Sequence, residues 1–209
     1  MTQRELNELF QTLIHNHDVE AGYEFQTHEI NDIMTKAYRE VVDELYENFE
    51  KDERVRKLLN PLVNNGSVGG FSSSPYYTNT YSVSLYNITP KVLYILTEEA
   101  SFAGYSDRIP VKPITLDSYT SNKKNPFKKP YKNLVWRLDV GKNNLLDTHL
   151  VLPEDMLPGG YYITYLCQPE TVDVTSSSPL KINEAVHKDI VERAVKQALL
   201  IKQTNKNLI

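Results

Sequence analysis

An α+β fold is predicted: a helical bundle formed by the N- and C-terminal helices, with a central antiparallel β-sheet or sandwich as an insertion. Two observations predict it. Apolar residues recur at helical spacing near both ends of the chain, and about a hundred residues between them alternate or form short apolar runs bounded by Gly, Pro, Asn and Ser. A lone C-terminal helix cannot bury its apolar stripe by itself, so it is expected to fold back on the N-terminal helices. The expected helical base is residues 1–63 and 181–209, and the β-rich insertion is 64–180.

Thr2-Gln3-Arg4-Glu5 reads as a capping box, and Leu6, Leu9, Phe10 and Leu13 follow at helical spacing, so a first helix is expected over 3–14. His15 to Asp18 should end it. Thr27 is the expected cap of a second helix over 28–50, with the stripe Ile30, Ile33, Met34, Ala37, Val41, Leu45 and Phe49. Tyr38, Val42 and Tyr46 widen that stripe enough to touch two neighbours. A short third helix over 52–60 is limited by Pro61.

Residues 64–80 read as a loop and domain hinge, because Asn64-Asn65-Gly66-Ser67, Gly69-Gly70 and Ser72-Ser73-Ser74-Pro75 are turn-forming. Gly66 to Gly70 lacks the lysine and hydroxyl of a phosphate loop. Strands are expected at Tyr81–Tyr86, Val92–Leu96, Asn133–Val140, His149–Leu152 and Tyr161–Leu166, with Pro158-Gly159-Gly160 as a turn. Pro110 and Pro113 hold 109–113 extended, and Thr115–Tyr119 suits a short helix. Roughly five strands with short links argue for antiparallel pairing rather than a βαβ fold. Asn183 caps the last helix, whose stripe is Val186, Ile190, Ala194, Ala198 and Ile201.

Apolar residues make up 40% of the 209 and charged ones 24%, which places the chain among globular proteins. The 14 tyrosines, against 6 phenylalanines, suit half-buried strands and subunit contacts. The single Cys167 excludes an internal disulfide and reads as a buried small hydrophobe. No apolar run is long enough for a membrane span, and the opening residues show no secretory pattern, so a soluble protein made in a reducing cytoplasm is expected.

The net charge of −4 is unevenly spread. Residues 1–60 carry 14 acids and 7 bases, residues 105–142 carry 9 bases and 3 acids, and residues 143–180 carry 5 acids and no base. Opposite patches on one chain favour head-to-tail association or docking to a differently charged partner. The run 123–132 mixes five lysines with Phe127 and Tyr131. It suits a proline-stiffened loop docking an acidic neighbour, and also a solvated loop or a single-stranded nucleic-acid contact.

No catalytic constellation is visible. His15 and His17 with Asp18 lack a third metal ligand, and Glu98-Glu99 and Glu154-Asp155 are adjacent. Adjacent strand residues point to opposite faces, so this spacing gives a paired-acid mechanism no support. The serine runs at 72–74 and 176–178 lack a nucleophile-elbow pattern. Neither an enzyme nor a cofactor or metal site is expected.

Ile109–Tyr119, Asn125–Pro130 and Val135–Leu138 together resemble a recurring signature in structural proteins of crAss-like bacteriophages. Arg4–Phe10 and Ile33–Tyr38 fit the same group, and Leu180–Val195 resembles the closing helix of phage head-to-tail connectors. The layout is similar to podovirus gatekeeper or adaptor proteins. The resemblance implies a virion protein, assembled in the bacterial host cytoplasm, that forms a homo-oligomeric ring, commonly of twelve copies. Its partners would be the portal protein and neighbouring connector or tail rings, with genomic double-stranded DNA passing non-specifically and no membrane involved. A tail-hub or baseplate subunit is the alternative, ahead of a ligand-binding module or enzyme. The candidate subunit or partner contacts are Arg108, Lys112, Lys123, Lys124, Phe127, Lys128, Lys129, Tyr131 and Lys132, with Leu208 and Ile209 in the tail.

Overall fold

The computed structural model describes residues 1–17, 25–74, 79–105, 107–139, 147–154 and 156–206. It divides into a helical unit, Met1–Leu62 with Pro169–Ile209, and a β unit, Val63–Gln168.

In the helical unit, α1 spans Gln3–His17, α2 Thr27–Tyr46 and α3 Glu53–Leu59. The expected capping box forms: the Glu5 amide donates to Thr2 Oγ1 at 3.2 Å, and the Thr2 amide donates to Glu5 Oε2 at 2.8 Å. α1 continues three residues beyond the expected end, so His15 lies in its last turn rather than in a loop. The cap of α2 is Gln26, whose amide donates to Glu29 Oε2 at 2.7 Å, and Thr27 is already helical. α2 stops at Tyr46, short of the expected residue 50, and turns follow.

A fourth helix of this unit, the last in the chain, spans His187–Lys206 and is preceded by a 3-10 turn that Asn183 caps. This C-terminal helix packs on both α1 and α2. It buries Ile190, Val191, Ala194, Val195 and Ala198 against Leu6, Phe10 and the Ile30–Val42 face. The two alanines let the backbones approach, and each large aliphatic side chain removed from water contributes about 1.5–3 kcal/mol. Residues 169–182 run along α1 and α2 with a turn in which the Ser176 amide donates to the Asp173 carbonyl, and the Gln3 and Arg4 amides donate to the Ser178 and Ser176 carbonyls at 3.0 Å. Side chains meet other donors of the segment: Val172, Asp173 and Val174 amides donate to Thr35 Oγ1, Gln3 Oε1 and Asn31 Oδ1 at 2.9, 2.7 and 3.0 Å.

The β unit is one curled sheet of eight strands. They are β1 Val63–Val68, β2 Ser72–Ser73, β3 Thr80–Ser84, β4 Val92–Phe102, β5 Ile109–Ile114, β6 Val135–Asp139, β7 Asp147–Val151 and β8 Pro158–Cys167, in the order β1-β8-β4-β5-β6-β7-β3-β2. A helix, α4, spans Leu116–Asn122 between β5 and β6, and the C-terminal helix is therefore α5. Tyr161, Ile163 and Tyr165 of β8 share a buried face with Ala100 and Phe102 of β4. On β6 the other face is also covered: Trp136 and Leu138 pack with Tyr119 of α4 and Val151 of β7.

Three features depart from the sequence expectation. Residues 63–68 are a strand paired along its length with β8, not a hinge loop, and Pro158-Gly159-Gly160 continues β8 rather than turning. β5 and β6 are parallel, with Val111 opposite Val135 and Ile114 opposite Leu138. The reason is the connection: α4 crosses over and returns the chain to the same end of the sheet, which a hairpin turn cannot do.

Gly159 tests the β8 geometry. A Cβ there would lie 2.8 Å from the Phe102 carbonyl carbon and oxygen, whereas one at Gly69 would meet nothing within 4 Å. Gly159→Ala is expected to cost about 1–3 kcal/mol by overpacking and Gly69→Ala close to nothing, read as the shift in urea midpoint.

His187, at the start of α5, is fully buried. Burial pushes its imidazole below the ordinary range, the Met1 ammonium adds to the push, and Glu184 offsets part of it. The unfolded chain then binds the extra proton first, so stability falls as pH drops below about 6.5 and stops falling once the folded imidazole also protonates. Melting temperature between pH 7 and 5 should fall more steeply for the native chain than for His187→Leu.

Candidate subunit-contact surfaces

The lysine-rich segment after α4 is an ordered loop built around Asn125. Its carbonyl accepts from the Lys128 and Lys129 amides at 3.1 and 2.8 Å, and its Oδ1 accepts from the Phe127 amide at 3.0 Å. The Tyr131 and Leu134 backbones then pair reciprocally, closing the loop onto β6. This geometry leaves the Phe127 ring 93% exposed and Tyr131 55% exposed. An aromatic ring so exposed, on a loop fixed by its own hydrogen bonds, is held in one place before any contact forms.

Behind the loop lies a cleft of about 320 Å³. Tyr119, Trp136, Val151 and Leu152 supply its apolar wall, and Lys123, Lys124, Lys129 and Glu154 line it too. Lys129 Nζ lies 3.2 Å from Glu154 Oε1, and Lys123 Nζ stands 5.5 Å from the Tyr119 ring centre. Phe127 and Lys128 lie outside this lining, while Lys132 sits 5.6 Å over the Tyr105 ring.

The other expected contacts lie elsewhere. Arg108 stacks 3.9 Å over the Tyr162 ring and reaches Glu99 Oε2 at 3.6 Å, on the sheet face opposite Tyr161. It lines a separate polar groove of about 330 Å³ with Asn65, Thr97 and Thr164. Lys112 is exposed on β5, while Leu208 and Ile209 lie outside the described residues. So do the His17 side chain and Asp18. Among the described residues no group of three or more His, Cys, Asp or Glu is placed to hold a metal ion, and no helix is long and apolar enough to cross a membrane.

The helical unit carries the opposite charge at the end of α2. Residues 40–53 hold seven acids and one base. Asp43, Glu44, Glu47 and Glu50 are exposed around half-buried Leu45, Tyr46 and Phe49, with the two aromatic rings 6.2 Å apart. The last turn of α2 contains no base, so these carboxylates sit where the helix dipole disfavours them. Arg193 of α5 neutralises Glu44, and Gln197 donates to Glu40 at 2.7 Å.

One charged cluster was not anticipated from the sequence. Glu98 and Arg137 are 8% and 14% exposed, and Arg137 Nη1 lies 3.1 Å from Glu98 Oε1. Tyr161 Oη donates to Glu98 Oε2 at 2.6 Å, and Arg137 Nε lies 3.2 Å from Asp139 Oδ1. Burial raises the Glu98 carboxyl, the Tyr161 hydrogen bond and the Arg137 charge oppose that, and the phenol itself is driven far up. The expectation that Glu98 and Glu99 face opposite ways holds: one lies in this cluster and the other under Arg108.

Removing one ion should cost far more than removing both. Arg137→Met is expected to destabilise by about 3–5 kcal/mol, because Glu98 stays buried without its counter-charge. Adding Glu98→Met should recover most of that loss, as a double-mutant cycle in denaturant would show.

A family model described as phage tail ring protein 3/4 matches residues 1–208. The chain is similar to ring protein 3 of Bacteroides phage crAss001, 25% identical over 232 residues, covering 97% of this chain and 96% of that protein. It is also similar to ring protein 4/5 of the same phage, 24% identical over 221 residues, covering 95% and 92% respectively. With the family pattern running through both the helical unit and the β unit, the chain belongs to the phage tail ring protein 3/4 family.

Proposed function

We propose that this chain is a structural subunit of a virion ring in the phage head-to-tail connector, closing around the DNA channel between portal and tail. The observation that carries the reading is the family match over residues 1–208. It is supported by relatives in crAss001 that are named as ring proteins and align over nearly their whole length. The surfaces agree with it. A ring needs two different contact patches on each copy, one for each neighbour, and this chain carries a basic aromatic loop and an acidic aromatic corner. Portal-proximal placement and twelve copies follow the resemblance to head-to-tail connectors. The partners in this reading are the portal protein and the adjoining rings, and genomic double-stranded DNA passes without sequence-specific contact.

A ring farther along the tail is the second reading, favoured by the word tail in the family description. The two differ in their partner.

Mass photometry with negative-stain imaging, on the protein alone and mixed with the portal protein of its virion, separates them. A closed ring, or stoichiometric assembly on the portal, is the expected result. A ring that ignores the portal moves the subunit to the tail. A protein that stays monomeric in both samples overturns the ring reading.

A further inference from the structure

We propose that the Phe127 loop of one copy docks on the Tyr46–Phe49 corner of a second copy, placing Lys124 and Lys128 against Glu47 and Glu50. The inference rests on the ring reading and names its contact.

Each half of the contact is incomplete alone. Phe127 is 93% exposed, and burying such a ring against apolar surface is favourable. The Asn125 hydrogen bonds already hold the loop, so docking orders little new chain. Lys124 and Lys128 form no ion pair with a described residue, and neither do Glu47 and Glu50. The two carboxylates stand at and beyond the C-terminal end of α2, where a cation from outside relieves their repulsion with the helix dipole. Tyr46 and Phe49 are half-buried between them, with ring centres 6.2 Å apart, and offer apolar surface among the carboxylates.

The charges decide the occupant. Residues 123–132 hold five bases and no acid, residues 40–53 seven acids and one base, and both belong to one chain. A loop-to-corner contact is heterologous: each copy offers its loop to one neighbour and its corner to the other. Such contacts repeat head to tail and close when the rotation allows. A nucleic-acid partner would use the lysines but leave the acidic corner without a role, and it would meet Glu154 beside the loop lysines.

The test is charge reversal, with association read by mass photometry in low salt, alone and with portal protein. Lys124→Glu with Lys128→Glu, and separately Glu47→Lys with Glu50→Lys, should each weaken association at least tenfold. Mixing the two variants one to one should restore it, and so should all four changes in one chain. Phe127→Ala should weaken association with an unchanged thermal melt, since the ring supports nothing in the fold. The proposal is overturned, with the ring reading intact, if the native protein assembles and either reversed pair assembles equally well, or if mixing fails to restore assembly. It is likewise overturned if loop reversal abolishes retention on a single-stranded oligonucleotide while assembly stays native. A native protein that never assembles, alone or with portal, sinks the ring reading as well.

Discussion

The helical unit depends on one burial event between residues far apart in sequence: the α5 stripe against α1 and α2. No two of these helices hide their apolar faces without the third. Leu6, Phe10 and Met34 reach zero exposure only because Ile190, Val191 and Ala194 return from the other end of the chain. Covering them also fixes residues 169–182, whose backbone donors have no strand partner. Gln3, Asn31 and Thr35 meet three of those donors, and this explains why polar side chains sit on otherwise apolar helix faces. The β unit is thus bracketed by segments that must find each other, whatever is inserted between them. Such long-range closure is slow to form but tolerates a large insertion, since closure entropy grows only weakly with loop length.

Within the β unit a different constraint operates. Glu98, Arg137 and Tyr161 place charge among buried side chains, at a desolvation cost that apolar residues would avoid. In exchange the cluster is directional. Glu98 lies on β4, Tyr161 on β8 and Arg137 on β6, so the sheet must curl in register to bring them together. A slip of one residue in any of these strands would turn its charged or phenolic group to the opposite face.

The elements legible in the sequence are those whose signal is local. Periodicity located α1, α2 and α5, alternation located β3, a strand-like aromatic run located β8, and the two prolines marked β5. The failures are also physical. Asn64-Asn65-Gly66-Ser67 has turn chemistry, yet it pairs with β8 because a small residue is wanted at Gly66, whose Cβ position is 3.3 Å from Ile88 and Tyr165. Gly159 follows a proline, as turn glycines do, but it is bare because the Phe102 backbone lies where its side chain would be. Both glycines serve close approach rather than bending, and sequence alone does not tell these uses apart. The parallel β5–β6 pair depends on what α4 does in space. The Glu98–Arg137 pair spans some forty residues and has no local signature. On the surface, composition marked the loop lysines and Phe127, while Arg108 belongs to another face, under which only pairing with β8 placed Tyr162.

The acidic end of α2 brings these strands of argument together. Stability alone would place lysines there, since cations at a helix C-terminus are favourable and carboxylates are not. The chain instead holds four exposed acids around two half-buried aromatic rings, and Glu44 gains a cation from α5. Across the chain, the lysine loop is equally one-signed, and its most exposed residue is a phenylalanine. Each surface is unfavourable when isolated, and the two are unfavourable in opposite senses. Like charges at both sites would have kept copies apart, and neutral sites would have allowed any apolar surface to dock. Opposite charges around the exposed Phe127 ring and the half-buried corner rings disfavour loop-to-loop and corner-to-corner pairing, so the proposed loop-to-corner pairing is the one that improves both. In the proposed ring, a subunit that meets its own copies in one orientation is therefore expected to keep such local instabilities.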